Sequence, residues 1–150
     1  MKKGLVILGS DHAGFATKER LKKEFDREGI EYDDLGAYKL NPKDDYPDIA
    51  FKVAEKVAKT KGRGILLCGT GAGMIIAANK VKGIRAVEAY DTFTAKLARE
   101  HNDSNILSLS GWHIPFSKIK QIVDVWLNTK YSGNERHKRR LKKISNYEEG

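Results

Sequence analysis

The sequence predicts a single domain over residues 1–150: a three-layer α/β/α sandwich around a five-stranded parallel sheet, closed by a basic C-terminal helix. Three observations lead there. Short apolar runs alternate with helical patterns along the chain, the order that yields parallel strands joined by crossover helices. The third run ends in a glycine-rich turn that opens a helix, as in Rossmann-like sheets. A length of 150 residues suits one domain with a full core.

The elements follow in order. Leu5-Val6-Ile7-Leu8 reads as the first strand and residues 14–28 as a helix, with Leu21 and Phe25 four apart on one face. Residues 30–35 form a weaker, alternating strand, followed by a loop from Gly36 to Tyr46. Pro47 suits the first turn of the second helix, whose stripe is Ile49, Val53 and Val57 with alanines beside it. Gly64 to Leu67 is the third strand, and Met74 to Lys80 the helix behind its turn. Residues 84–90 make the fourth strand, and Asp91 or Thr92 caps the helix that runs to about His101. Ile106 to Leu109 is the fifth strand. Ile119, Ile122, Val123, Trp126 and Leu127 recur at the spacing of an amphipathic helix. Ser132-Gly133 breaks it, and a basic helix over 134–145 ends the pattern.

Right-handed crossovers put the carboxyl ends of all parallel strands on one edge, where open α/β sheets bind ligands. That edge collects Gly9 to His12, the 36–46 loop, Cys68 to Gly73, Asp91-Thr92 and Ser110 to Pro115. His101-Asn102 ends a helix, so it falls on the opposite edge of its own sheet.

Composition narrows the class. Hydrophobic content of 40% and charged content of 32% are ordinary for a globular protein. The lone cysteine excludes an intramolecular disulfide and fits a reducing compartment. The apolar run at the N-terminus is too brief for a signal segment or membrane span, so a cytoplasmic protein with no membrane partner is expected. The net charge of +8 is concentrated in Arg136 to Lys143, which suits an anionic partner or a solvated basic surface.

Several clusters offer chemistry. Cys68 sits where a buried strand meets a helix, and backbone N–H groups at such a turn favour a thiolate and hold a developing oxyanion. A buried, inert thiol is the competing reading. Asp11 and His12 follow strand one, suited to sugar hydroxyls and a phosphate or carbonyl; capping of the next helix is the alternative for Ser10 or Asp11. Asp44, Asp45 and Asp48 flank a helix start, where negative charge is favourable in its own right. The glycine spacing at 69, 71 and 73 matches neither a dinucleotide fingerprint nor a phosphate-binding Walker loop. Histidines at 12, 101, 113 and 137 are scattered without metal-ligand spacing, so neither a metal nor another cofactor is expected. Arg136 and Arg140 share a helix face, where two guanidinium forks suit a phosphate monoester. Poor aromatic interleaving argues against nucleic acid.

Taken together, these residues resemble the type B ribose-5-phosphate isomerases, a family that also includes galactose-6-phosphate and allose-6-phosphate isomerases. The resemblance rests on Gly9 to Gly14, Asp45 to Asp48, Cys68 to Gly73, Asn79-Lys80, Gly83 to Ala86, His101 to Asn105, and Arg136-His137 with Arg140. It implies interconversion of ribose 5-phosphate and ribulose 5-phosphate through an enediolate, without metal. It implies Cys68 as the base between C1 and C2, Thr70 in proton transfer on the sugar oxygens, and the Gly69, Gly71 and Gly73 turn as the enediolate hole. His101 then opens the furanose ring, with Asn102 beside it on the sugar. Asp11, His12 and Tyr46 line the substrate, and Arg136 and Arg140 clamp its phosphate. The resemblance further implies a homodimer, or a dimer of dimers, with His101 and Asn102 arriving from the partner. One departure stands out: Trp112 occupies the place of a phosphate-binding arginine, so that site is expected to lose one fork, with His113 as a partial substitute.

Three rival readings remain at this point. The substrate can be a six-carbon phosphate; the basic tail can serve an anion- or nucleic-acid-binding module; or the chain can be the silent member of a pair. The presence of both Cys68 and His101 argues against the last.

Overall fold

A computed structural model describes residues 4–150; Met1 to Lys3, which precede the first strand, lie outside the described residues. The elements are β1 (Val6–Ser10), α1 (Phe15–Glu28), β2 (Tyr32–Asp34), α2 (Tyr46–Thr60), β3 (Arg63–Cys68), α3 (Ala72–Ala78), β4 (Ala86–Glu88), α4 (Thr92–Glu100), β5 (Ile106–Ser110), α5 (Phe116–Asn128) and α6 (Glu135–Glu149). The strands form one parallel sheet in the order β2-β1-β3-β5-β4. Helices cover both faces, as the alternation requires. One face packs Leu21 and Phe25 of α1 and Ile119, Val123 and Trp126 of α5 against the sheet. The other packs Val53 and Val57 of α2 and Met74 and Ala78 of α3.

Differences from the expected elements lie at their ends. β2 and β4 are trimmed to three residues each, because both are edge strands with a neighbour on one side alone. α3 starts at Ala72, inside the glycine turn, because Gly71 adopts a left-handed φ of 92° that lets the chain turn straight into the helix. α6 runs on to Glu149, with Gly83 N–H donating to Glu148 and Lys82 to Glu149 at its far end. Asp91 rather than Thr92 caps α4, in a reciprocal capping box with Thr94.

The strand order sets the position of the functional edge. β1 has β2 on one side and β3 on the other, so the chain winds away from β1 in both directions, and a crevice opens beyond the carboxyl ends of β1 and β3. Ser10 pairs with Leu67 across that boundary, and Asp11 N–H donates to Leu67 O. The segments after β1 and β3 are therefore neighbours although 57 residues separate Asp11 from Cys68.

A buried cation secures the loop on one side of this crevice. Lys18 is fully buried, and its Nζ donates to Asp34 Oδ1 at 2.7 Å and to the Ala37 carbonyl. Burial pulls Lys18 below the ordinary lysine value, whereas Asp34 is held below the ordinary carboxylate value by Lys18 and Lys22 against its own burial. The Asp34 contribution to stability is full above the ordinary carboxylate value and is lost as pH falls through its depressed one. Lys18→Met is expected to lower stability by about 3 kcal/mol at neutral pH, because it leaves a half-buried carboxylate with one cation fewer. Urea unfolding measures the loss, which should shrink below about pH 4 as Asp34 protonates.

Candidate active site

The carboxyl edge holds most of the predicted residues. Cys68 ends β3, 4% exposed, and Gly71 N–H donates to its Sγ at 3.1 Å. The amides of Thr70 and Met74 also favour its ionised form. The turn is pinned from β5: Ser108 Oγ donates to Gly71 O, Ser110 Oγ donates to Gly69 O, and Gly111 N–H donates to Cys68 O. Its donors are thus held rigidly around the sulfur. The helix-start argument predicts a lowered thiol pKa, but the structure reverses the net direction. Burial pushes the Cys68 thiol up and the negative charge of Asp11 adds to it, outweighing the amide hydrogen bonds. At rest the group is a neutral thiol surrounded by donors suited to its anion.

Glycine is required in this turn because aromatic rings lie against it. A Cβ at Gly69 would stand 2.8 Å from the Trp112 ring, and one at Gly73 2.6 Å from the Tyr46 ring. Trp112 therefore roofs the turn rather than leaving a gap where an arginine is expected, with its backbone N–H donating to Gly69 O. His113 is exposed, and its N–H donates to Ser110 Oγ. Thr70 is exposed beside the sulfur, and its Oγ1 accepts from Ala72 N–H.

Asp11 is buried, and its Oδ1 accepts from the amides of Ala13 and Gly14 at 3.0 and 3.1 Å. It thus shapes the turn ahead of α1, whose N-cap is Gly14. Burial raises its carboxyl above the ordinary value. His12 contacts Asp44 twice: backbone N–H to Oδ1 at 3.1 Å and ring Nδ1 to Oδ1 at 2.7 Å. That hydrogen bond raises His12 above the ordinary histidine value and fixes its ring, leaving Nε2 as the working end. Asp44 was expected to serve the α2 dipole. It serves His12 instead, while Asp48 sits in the first turn of α2 and Asp45 takes the N-cap position without a side-chain bond. Asp44 Oδ2 and Ser10 Oγ are buried there without partners. Asp11, His12 and Asp44 bring three possible metal-ligand atoms within 4.8 Å of one another. His12 and Asp44 already bond each other, and Asp11 accepts from the Ala13 and Gly14 amides.

His101, Asn102, Arg136 and Arg140 lie elsewhere. His101 is the C-cap of α4, leading into the amino end of β5, whereas Ser110 at its other end pairs with Cys68. The five-residue strand places the two groups about 15 Å apart along the sheet. The His101 ring stacks on His137 of α6, with centroids 4.3 Å apart. His137 is buried, and its Nδ1 meets Ser132 Oγ at 2.8 Å. Burial, then His101, Arg136 and Arg140, hold His137 below the ordinary histidine value. Arg136 and Arg140 are exposed on the same helix. Asn102 is exposed, and Arg85 Nε donates to its carbonyl and to that of Asp103 at 3.1 and 3.0 Å. Asp103, at a left-handed φ of 44°, receives Arg85 and Arg99 on its two carboxylate oxygens. Asn79 and Asn105 bond the backbone of Ala86 and of Gly83 and Arg85, so these motif residues build the scaffold.

Asp44, Trp112 and His137 carry weight that the sequence did not assign to them. Asp44 is 32 residues from His12, and no local pattern announces that pair. Trp112 was read through what it replaced, and the role of His137 depends on how α6 docks.

The doubly wound sheet, with a lone cysteine in an amide-lined turn at the switch in winding direction, defines a small-molecule α/β enzyme scaffold of one domain. The chain belongs to the ribose/galactose isomerase family, whose sequence profile matches residues 6–144. It is 40% identical over 150 residues to ribose-5-phosphate isomerase B of Escherichia coli, covering 99% of this chain and 98% of that one. A ribose-5-phosphate isomerase B from Mycoplasma genitalium with bound ribulose-5-phosphate superposes with a TM-score of 0.93 at 41% identity, covering 97% of this chain and 96% of that one. The Clostridium thermocellum ribose-5-phosphate isomerase B gives the same TM-score and identity, covering 97% and 98%.

Proposed function

We propose that this chain interconverts ribose 5-phosphate and ribulose 5-phosphate. The observation that carries this reading is Cys68 in its ring of amides beside Asp11 and the His12–Asp44 pair, in a chain of this family. The Mycoplasma relative binds the proposed product in the same fold at 41% identity, which supports the same substrate here.

Each chemical need has a residue. His101 takes the anomeric hydroxyl proton to open the ring, and Asn102 holds the sugar beside it. Cys68 as thiolate carries a proton between C2 and C1, Thr70 assists transfer between the oxygens, and the amides of residues 69–73 hold the enediolate. Asp11, His12 and Tyr46 line the sugar, and Arg136 and Arg140 grip the phosphate. This chemistry uses protein groups throughout and needs no metal. The single free thiol suits a reducing, cytoplasmic setting.

One chain does not bring Cys68 and His101 together, so the working unit is a homodimer with each site made from both copies. Two further features support this. α6 is fifteen residues long yet buries His137 alone, and Ile144 and Tyr147 on it are exposed. Ile76, Tyr90 and Phe93 are exposed around α3 and α4, an apolar surface suited to a second copy. Among the described residues no helix is long and apolar enough to cross a membrane.

The direct test follows formation of ribulose 5-phosphate from ribose 5-phosphate in excess chelator, with allose 6-phosphate and galactose 6-phosphate alongside. Turnover of the pentose above both hexoses is expected, in line with the ribulose-5-phosphate bound by the Mycoplasma relative. A preference for either hexose phosphate overturns the assignment. Arg140→Ala is expected to raise KM about tenfold or more, with a shallower dependence of KM on salt than the unaltered protein. An unchanged KM removes Arg140 from the clamp.

A further inference from the structure

The amino edge of the sheet carries a cavity that the proposed reaction does not use. It encloses about 420 Å³ and is lined by Lys61, Arg63, Arg85, Arg99, Asp103 and Asn105, among others. Four cations thus face one carboxylate, and Asp103 already divides its oxygens between Arg85 at 3.3 Å and Arg99 at 3.0 Å. Arg63 has no carboxylate partner among the described residues. Its Nη1 donates to the carbonyls of Leu127 and Trp126, which leaves Nε and Nη2 for another acceptor. Arg63 and Arg99 lie 5.6 and 6.0 Å from the same Trp126 ring, and Arg99 is 5% exposed. Burial and the Arg99 charge pull Arg63 below the ordinary arginine value. Positive charge at this density, part-buried and under-neutralised, is costly unless an anion joins it. The free Nε–Nη2 edge of Arg63 matches a phosphate oxygen pair, with Nη1 of Arg85 and Nη2 of Arg99 left as single further donors, and the volume falls in the range of small-ligand pockets.

We propose that this cavity is an anion site that takes the phosphate group of a small phosphorylated metabolite, separate from the Arg136–Arg140 clamp. The site is tied to the turn that carries His101. Arg85 donates to the carbonyls of Asn102 and Asp103 as well as to the Asp103 carboxylate. A phosphate competing for Arg85 and Arg99 loosens that turn, so occupancy lowers isomerisation from a distance. This second step rests on the reading of His101 given above; the binding step does not.

The test titrates the full-length protein with inorganic phosphate, and separately with glycerol 3-phosphate, while backbone amide resonances are followed. Saturable shifts are expected at Gly62, Gly83 and Asn105 with either probe, and the probe that binds more tightly distinguishes a free ion from a monoester. Arg63→Gln is expected to weaken this phase about tenfold or more. Lys61→Glu, on an exposed side chain that folding does not need, should weaken it several-fold. Arg140→Ala should leave it unchanged. Absence of shifts at these amides, or their loss in Arg140→Ala with retention in both Arg63→Gln and Lys61→Glu, overturns the site. In the isomerase assay, phosphate should show a noncompetitive component that Lys61→Glu reduces; purely competitive inhibition overturns the coupling. If the chain has no isomerase activity, the amide shifts persist, so the two readings fail separately.

Discussion

Cys68→Ala is expected to cut kcat by roughly three to four powers of ten while KM for the sugar phosphate stays within about threefold. The pattern follows from where the sulfur acts. In the proposed mechanism the substrate is held in the ground state by Asp11, His12, Tyr46 and the arginines, and the thiolate meets the C–H bond as it breaks. Folding should survive the change, because alanine removes one buried atom from a turn already pinned by Ser108 and Ser110. Burial raises the Cys68 pKa, so the thiolate fraction is small near neutrality and grows as pH rises. The value of kcat/KM should therefore climb from neutral into alkaline pH, on a limb that belongs to Cys68. Linkage gives the matching stability statement. Because the folded-state value lies above the unfolded one, the contribution is full below the ordinary thiol value and is lost as pH rises through the raised one. Near-normal turnover in Cys68→Ala would remove the sulfur from the base role.

His101→Asn is expected to give the second largest loss, about 10²- to 10³-fold in kcat/KM when ribose 5-phosphate is the substrate. The loss should depend on whether the aldose has to be opened. Ribose 5-phosphate enters as a closed furanose and must be opened. Its 4-deoxy analogue lacks the ring-closing hydroxyl and has its C5 oxygen blocked by phosphate, so it enters as an open chain and proton transfer on C1 and C2 can begin at once. The variant should therefore turn the 4-deoxy analogue over with a much smaller loss, whereas the fixed equilibrium constant makes the kcat/KM losses for ribose 5-phosphate and ribulose 5-phosphate equal. Rates on ribose 5-phosphate and on its 4-deoxy analogue test this. Equal losses on those two aldoses would move His101 from ring opening to the isomerisation step itself. His137 shapes the outcome, since its ring lies against that of His101 and is held below the ordinary histidine value.

Helical stripes such as Ile119 to Leu127 and the apolar run into Cys68 are periodic or local signals, so the alternation of elements and the carboxyl-edge turn were readable without coordinates. Edge strands were overextended, because the apolar residues flanking β2 and β4 carry the same signal as paired ones. The pKa of Cys68 departs from the sequence expectation for a different reason. Helix-start amides are visible in sequence, but the burial that outweighs them comes from the apolar layer of α2 and α3 packed on that face of the sheet. The His12–Asp44 pair could not be read at all, since the contact is made by a loop returning across the sheet edge. Topology alone put His101 on the far edge. That placement, which was an anomaly for one chain, is the strongest structural argument that the site needs two.

Mixed dimers test this most directly. Cys68→Ala and His101→Ala are each prepared as separate proteins, mixed, dissociated and reassociated, then assayed with ribose 5-phosphate. Random reassortment makes half the dimers hybrid, each with one intact site in which Cys68 of one copy faces His101 of the other, so activity should return to about a quarter of the unaltered level. No recovery above the two parents, in a sample where hybrid dimers are demonstrated by mass, would mean that Cys68 and His101 do not meet across two copies.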